Sequence, residues 1–289
     1  MKRLFLILSL CTLALAGCKS EPAKKVMARY VPERADDFVF ENNLVAGRFY
    51  GEALEGNPTS PGIDVWVKLP GKLVADDWYK GAMEDPDYYH HNHGGKDCYK
   101  VAVSLGGGAS APMVDGVLCF PPTNYRSYDM VEESPDKVVF VLHYPEWKIG
   151  EGIVISLDKK VTVTPDTYFC DVEDTYVFSG VDLLEIAAGV NRHPAQNDDI
   201  EELLDPEYYA VWEPASDQSI EPEDGMLGVA VVVPGATSCF VTEDGLHGVC
   251  VKEVASGEPF RYKFGSCWSK GKIKDMMSWF DLVMAQNDE

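Results

Sequence analysis

The sequence predicts a mostly β protein: one large antiparallel β-sandwich with a helix near its C-terminus. Three observations carry this. Segments of six to thirteen residues rich in Val, Ile and aromatics recur along the chain, with turn residues between them. Asp-Gly pairs at Asp115-Gly116 and Asp244-Gly245 sit where such segments need a tight hairpin. Helical periodicity is convincing only once, so the strands lack the alternation with helices that a parallel sheet requires.

Taken in order, residues 1–17 read as a signal. Lys2 and Arg3 precede LFLILSLCTLALA, an apolar run too short and too terminal for a stable span. The run ends in Leu15-Ala16-Gly17-Cys18, the small-residue pattern of bacterial lipoproteins, in which cleavage leaves the cysteine as the acylated N-terminus. Acyl chains on Cys18 would hold the protein on a membrane without a transmembrane helix, each buried methylene contributing about 0.8 kcal/mol. The expected location is the cell envelope. Residues 18–28 read as a flexible tether and residues 29–289 as a single domain.

The strand candidates are GIDVWVKL from Gly62, CYKVAVSL from Cys98, KVVFVLHY from Lys137, GIVISLDKKVTVT from Gly152, TYFCDV from Thr167 and LGVAVVV from Leu227. In KIKDMMSWFDLVMA the apolar Ile273, Met276, Met277, Phe280 and Val283 follow helical spacing, which predicts a terminal helix docked on a sheet.

The net charge is −22, and removing Lys2 and Arg3 with the signal would leave −24. Such a chain is a poor partner for nucleic acid, whose affinity rests on Lys and Arg neutralising phosphates. It can still bind an anionic sugar where its few cations converge. The acidic excess gathers in QNDDIEELLDPEYY and SDQSIEPEDG, which read as solvated insertions.

Beyond Cys18 the cysteines are Cys98, Cys119, Cys170, Cys239, Cys250 and Cys267, with no CxxC spacing. A two-residue turn at Asp244-Gly245 makes paired positions sum to 489, so Cys239 lies opposite Cys250 with Cα atoms within about 6 Å. In that register the two form a hydrogen-bonded pair, whose wider spacing suits a disulfide less well.

Three polar clusters can carry chemistry. In YYHHNHGGKDCY, from Tyr88 to Tyr99, His91 and His93 would share a strand face and, with Asp97, form an N,N,O metal set. The same loop also reads as an acid/base centre or as a solvated loop. In RYVPERADDFVFENN and just beyond it lie Arg34, Asn42 and Arg48; three of the seven arginines fall between residues 29 and 48. A third group comprises Asn191-Arg192-His193, Trp212-Glu213 and Trp268, where aromatic faces beside hydrogen-bonding groups suit sugar rings. GxSxG, P-loop, GxGxxG and HExxH motifs do not occur.

These stretches together resemble the domain-of-unknown-function family 4861, envelope proteins of bacterial polysaccharide-utilisation systems. The resemblance runs from about Arg29 and rests on VPERADDFVFEN, AGRFYGEALEGNPTSPGIDVWVK, YHHNHGGKDCYKV with LGGGAS, VWEP and GSCWSK, in that order. It implies a β-supersandwich of the galactose-mutarotase type. It also implies action on acidic oligosaccharides, as a dehydratase of a non-reducing-end uronic acid giving a 4,5-unsaturated residue. For that chemistry Arg34, Asn42, Arg48 and Arg192 are candidates to neutralise the uronate, and Trp212 and Glu213 to bind the substrate. His90 and His93 are candidates for base or acid, Tyr99 an alternative acid, and Asp97 the partner that orients a histidine. No cofactor is expected, with a divalent metal on His91, His93 and Asp97 as the alternative. Sugar epimerase or mutarotase and non-catalytic glycan-binding lipoprotein remain the other readings. In the last, His90 and His93 stand exposed and apart from any pocket.

Overall fold

The computed structural model describes residues 24–56, 62–194, 199–215 and 224–287. Cys18, the signal and the first part of the tether lie outside the described residues. Regular structure begins with β1 (Val26–Val31), ahead of the expected boundary at residue 29.

An antiparallel sheet follows from β1 through β2 (Asp37–Asn42), β3 (Ala46–Phe49), β4 (Ile63–Lys68) and β5 (Gly95–Lys96), in that order. Helix α1 (Ala75–Ala82) lies between β4 and β5 and is not among the elements that the sequence predicts. Its Ala75, Trp78 and Tyr79 fall at helical spacing, are buried, and pack on Val39 and Trp66. Buried Glu41 of β2 fixes the helix start by accepting from the backbone of Val74 (2.6 Å) and Ala75 (2.9 Å).

The remaining strands are β6 (Gly107–Val114), β7 (Val117–Leu118), β8 (Ser127–Glu133), β9 (Val138–Ile149), β10 (Ile153–Val163), β11 (Phe169–Ser179), β12 (Leu183–Asn191), β13 (Glu201–Asp205), β14 (Tyr208–Pro214), β15 (Met226–Val232), β16 (Ser238–Val241), β17 (His247–Ala255) and β18 (Pro259–Trp268). One eight-stranded sheet has the order β13-β14-β15-β18-β11-β10-β9-β8, and a five-stranded sheet has the order β16-β17-β12-β6-β7. A parallel bridge from Ile63 to Gly106 joins the two smaller sheets. Gly106 is required there, because a Cβ would meet the Ile63 carbonyl at 2.3 Å and its φ is +58°.

The joined sheets pack on the eight-stranded one through aromatics such as Phe38 on Phe140 (4.5 Å between centroids) and Phe40 on Phe264 (5.5 Å). Inside this core sits an ion pair, Lys159 with Asp174 at 2.5 Å, also touched by Ser110 and Tyr262. Helix α2 (Met276–Met284) covers the outer face of the eight-stranded sheet with Trp279, Phe280 and Val283. Met277, expected on that buried face, is exposed, and Trp279 takes the place. The architecture is the mostly β, antiparallel fold with a C-terminal helix that the sequence predicts.

Two local readings change. CYKVAVSL is irregular rather than a strand, with Ala102 at φ +48°. The 242–247 hairpin closes through Gly245 N–H to Thr242 O and Thr242 N–H to His247 O, so its loop has four residues, not two. The sum of 489 survives, but the parity of the ladder flips. Cys239 and Cys250 therefore form a non-hydrogen-bonded pair, with Cα atoms 4.1 Å apart and a disulfide between them. At Asp115-Gly116 the two-residue turn is present, both residues having positive φ.

Candidate functional site

Polar residues interrupt the apolar pattern of β2, β3 and β4, and they converge on the outer face of the first sheet. Arg48 is 3% exposed, and its guanidinium donates to Asp64 (2.7 Å), Asp97 (3.0 Å) and Asp37 (3.3 Å). Register explains the meeting of β3 and β4: Arg48 is the direct partner of Asp64. Each of the three carboxylates keeps one buried oxygen with no hydrogen-bond partner among the described residues. Desolvation, with repulsion from Asp64, holds the Asp97 carboxyl well above its usual range against the attraction of Arg48. Desolvation likewise pushes Asp37 up to about 6, opposed by Arg48 and Arg34.

Over Asp37 lies a small cleft of about 160 Å³, walled in part by Glu33, Arg34, Tyr79 and Tyr89. The Tyr79 hydroxyl donates to Asp37 Oδ2 at 3.3 Å, and Arg34 Nη1 stands 3.9 Å from the same oxygen. Arg34 Nε and Nη2 both donate to the Tyr89 hydroxyl oxygen, at 3.2 and 3.1 Å. Tyr89 in turn lies beside His90, with ring centroids 4.7 Å apart. His90 Nδ1 faces the Asp97 carbonyl oxygen at 3.1 Å. A carbonyl only accepts, so Nδ1 carries the proton and Nε2 is left as the basic nitrogen.

The expected residues thus divide. Arg34 and His90 meet on Tyr89, a residue not singled out in sequence. His93 does not join them: it is exposed and stacks flat on Tyr88 at 3.8 Å. Asp97 orients His90 through its backbone carbonyl, because its carboxylate is held by Arg48. For the same reason the alternative metal set of His91, His93 and Asp97 is not assembled; the described residues contain no group of three His, Cys, Asp or Glu placed to hold a metal ion. Arg48, expected at substrate, is instead a buried hub.

Asn42 is consumed locally. Its amide donates to Thr164 and Thr167 carbonyls and its oxygen accepts from Leu44 and Val45. Tyr99 is buried and its hydroxyl lies 3.0 Å from both the Gly106 and Asn191 carbonyls. Burial raises it well above a phenol's usual range, so its proton stays on. Beside it, His193 Nδ1 contacts Glu213 at 2.7 Å and Nε2 contacts the Lys100 carbonyl at 2.8 Å, a buried pair. Trp212 points away from Glu213, as strand alternation demands, and packs under α2. Arg192 is tied to the Glu202 carboxylate (2.6 and 2.8 Å) and the Gly245 carbonyl (2.5 Å).

Asp37, Asp64, Tyr79 and Tyr89 escaped the sequence reading. The available signal was an aspartate in each of DFVFEN and IDVWVK, strands buried on both faces.

Comparison with known proteins gives three findings. The model of a family described as "Domain of unknown function (DUF4861)" matches residues 17–289. The "Uncharacterized protein P7" of Formosa agariphila is 34% identical over 216 residues, covering 72% of this chain and 51% of that protein. This chain therefore spans about half the length of that curated relative. Among solved structures, the crystal structure of 4-alpha-glucanotransferase from Thermococcus litoralis matches 86% of this chain and 40% of its own, at 9% identity and a TM-score of 0.37.

Proposed function

The chain belongs to the DUF4861 family, and from that premise we propose that it is a carbohydrate-active envelope protein, a hydro-lyase on the terminal uronic acid of acidic oligosaccharides. The observation that carries the reading is Tyr89, held by two N–H groups of Arg34 on a concave wall and flanked by His90. Arg34 Nη1 turns toward the substrate carboxylate and neutralises it, which acidifies the adjacent C5–H. His90 Nε2 takes that proton. The C5–H electron pair becomes the C4=C5 π bond, the C4–O bond breaks, and the hydroxyl leaves as water with the Tyr89 proton. Tyr89 is then reprotonated as His90 loses its proton to solvent. Asp37, behind Arg34 and Tyr79, holds the arginine in place.

The test is ultraviolet absorbance of a conjugated C4=C5 bond when the purified protein meets uronate-terminated oligosaccharides. Absorbance that survives Tyr89→Phe and Arg34→Lys would sink the assignment. One observation favours the second reading, a non-catalytic glycan-binding protein: His93 stands exposed and away from the cleft. Binding of the same oligosaccharides with no absorbance from the wild type would select it.

The envelope location is part of the proposal. It is supported by Leu15-Ala16-Gly17-Cys18 and by the Cys239–Cys250 disulfide, a bond that suits an oxidising compartment. Incorporation of labelled fatty acid should vanish in Cys18→Ala.

A further inference from the structure

A second concave site lies on the sheet β16-β17-β12-β6-β7. Gly248 of β17 faces the eight-stranded sheet, where an added Cβ would meet the Tyr209 ring at 2.0 Å. Its neighbour His247 therefore points to the opposite, outward face. There the two edge strands, β7 and β16, border one open cleft of about 670 Å³, so the sheet curls around it.

His247 is 4% exposed and lines this cleft. Its Nε2 accepts the Leu105 N–H at 3.3 Å, which places the ring proton on Nδ1. That Nδ1 is buried with no partner among the described residues. A buried donor without an acceptor is destabilising, and the imidazole that carries it lines the cleft, so a ligand that enters and turns the ring can supply the missing oxygen. Phe120 lies 6.0 Å from the imidazole by ring centroids, and Phe240 lines the same space; both are half-buried. Three carboxylates, Asp115, Glu243 and Asp244, complete the polar part, and among the described residues the lining includes no lysine or arginine.

We propose that this cleft binds an uncharged sugar residue of an oligosaccharide. The apolar C–H faces of the ring stack on Phe120 and Phe240, one sugar oxygen accepts from His247 Nδ1 as the imidazole turns to meet it, and hydroxyls donate to Glu243 and Asp244. The carboxylates and the lack of a cation turn a uronate away. The cleft thus has the opposite charge preference to the Arg34 site, and its assignment does not depend on the hydro-lyase reading.

The experiment uses the full chain with xylobiose, cellobiose and lactose as neutral probes and digalacturonate as the charged one. His247 imidazole resonances and titration isotherms are the readouts. At least one neutral probe should shift His247 and bind saturably, while digalacturonate leaves His247 in place. Phe120→Leu and Phe240→Leu keep bulk but remove the stacking face, and each should weaken that binding about three- to tenfold. Glu243→Gln, on the exposed rim, should weaken it in the same direction and reads the site independently of any core perturbation. Arg34→Ala should leave neutral-probe affinity unchanged. The proposal fails if no neutral probe moves His247, if digalacturonate moves it equally, or if the variants that fold retain wild-type affinity. None of these outcomes alters the absorbance assay at the Arg34 site.

Discussion

Arg48 donates to the Asp97 carboxylate across 3.0 Å, with both side chains buried and the guanidinium beneath the Tyr89 ring. The contact ties β3 to the polar loop that follows β5, and it makes Arg48 a support of the cleft rather than a ligand of substrate.

Arg48→Met should therefore act on stability first. Removing one partner of a buried ion pair typically costs about 3–5 kcal/mol, and here three carboxylates lose their shared guanidinium. Arg48→Lys should recover only part of this, since an ammonium lacks the fork that reaches all three. Urea denaturation midpoints check both. A midpoint near wild type for either variant would contradict the hub.

Asp37 should give stability a pH dependence of definite sign. Its carboxyl is raised in the folded protein from 3.8 to about 6, so the folded state holds the proton more tightly than the unfolded chain. Its contribution is fully present below about pH 4 and is lost as pH rises through about 6. At about 1.4 kcal/mol per tenfold change in proton affinity, the span is about 3 kcal/mol. In Asp37→Asn the fall in stability between pH 4 and 6 should flatten, although Arg34, Arg48, Asp64 and Tyr79 still face the site.

The catalytic reading separates the two expected histidines. His90→Ala should lower turnover by about 100- to 10,000-fold, the usual range for a lost general base. His93→Ala should leave turnover near wild type and cost only its stacking on Tyr88, about 1 kcal/mol or less. Equal losses in both variants would place the chemistry elsewhere in the loop.

Reduction of the Cys239–Cys250 bridge should destabilise the domain by about 3 kcal/mol, the loop entropy for a separation of 11 residues. Thermal unfolding with and without reductant measures it, and identical midpoints would rule it out.

Five of the six strand candidates were legible because alternation and turn residues are local signals, and the 489 sum found the cysteine pair from one turn. The hairpin's true loop length was not legible, since Glu243 and Leu246 could be paired or looped without changing the sum. The Arg48 hub was beyond sequence for another reason. Asp37, Asp64 and Asp97 come from β2, β4 and a loop, and only sheet closure brings them to one guanidinium. Helix α1 was legible in principle: Ala75, Trp78 and Tyr79 are correctly spaced, but only eight residues carry the pattern.

The interior pair of Lys159 and Asp174 settles which of several strand alignments is native. The two are direct partners across β10 and β11, flanked on the same face by Leu157 with Tyr176 and Val161 with Val172. Sliding β11 by one residue would turn its apolar face to solvent, an error that the hydrophobic pattern already forbids. Sliding it by two would keep every apolar side chain inside, so that pattern cannot forbid it. It would, however, leave an ammonium facing Val172 or Tyr176 and a carboxylate facing Leu157 or Val161, each buried without its counter-charge. The pair therefore excludes the one misalignment that greasy side chains alone would tolerate.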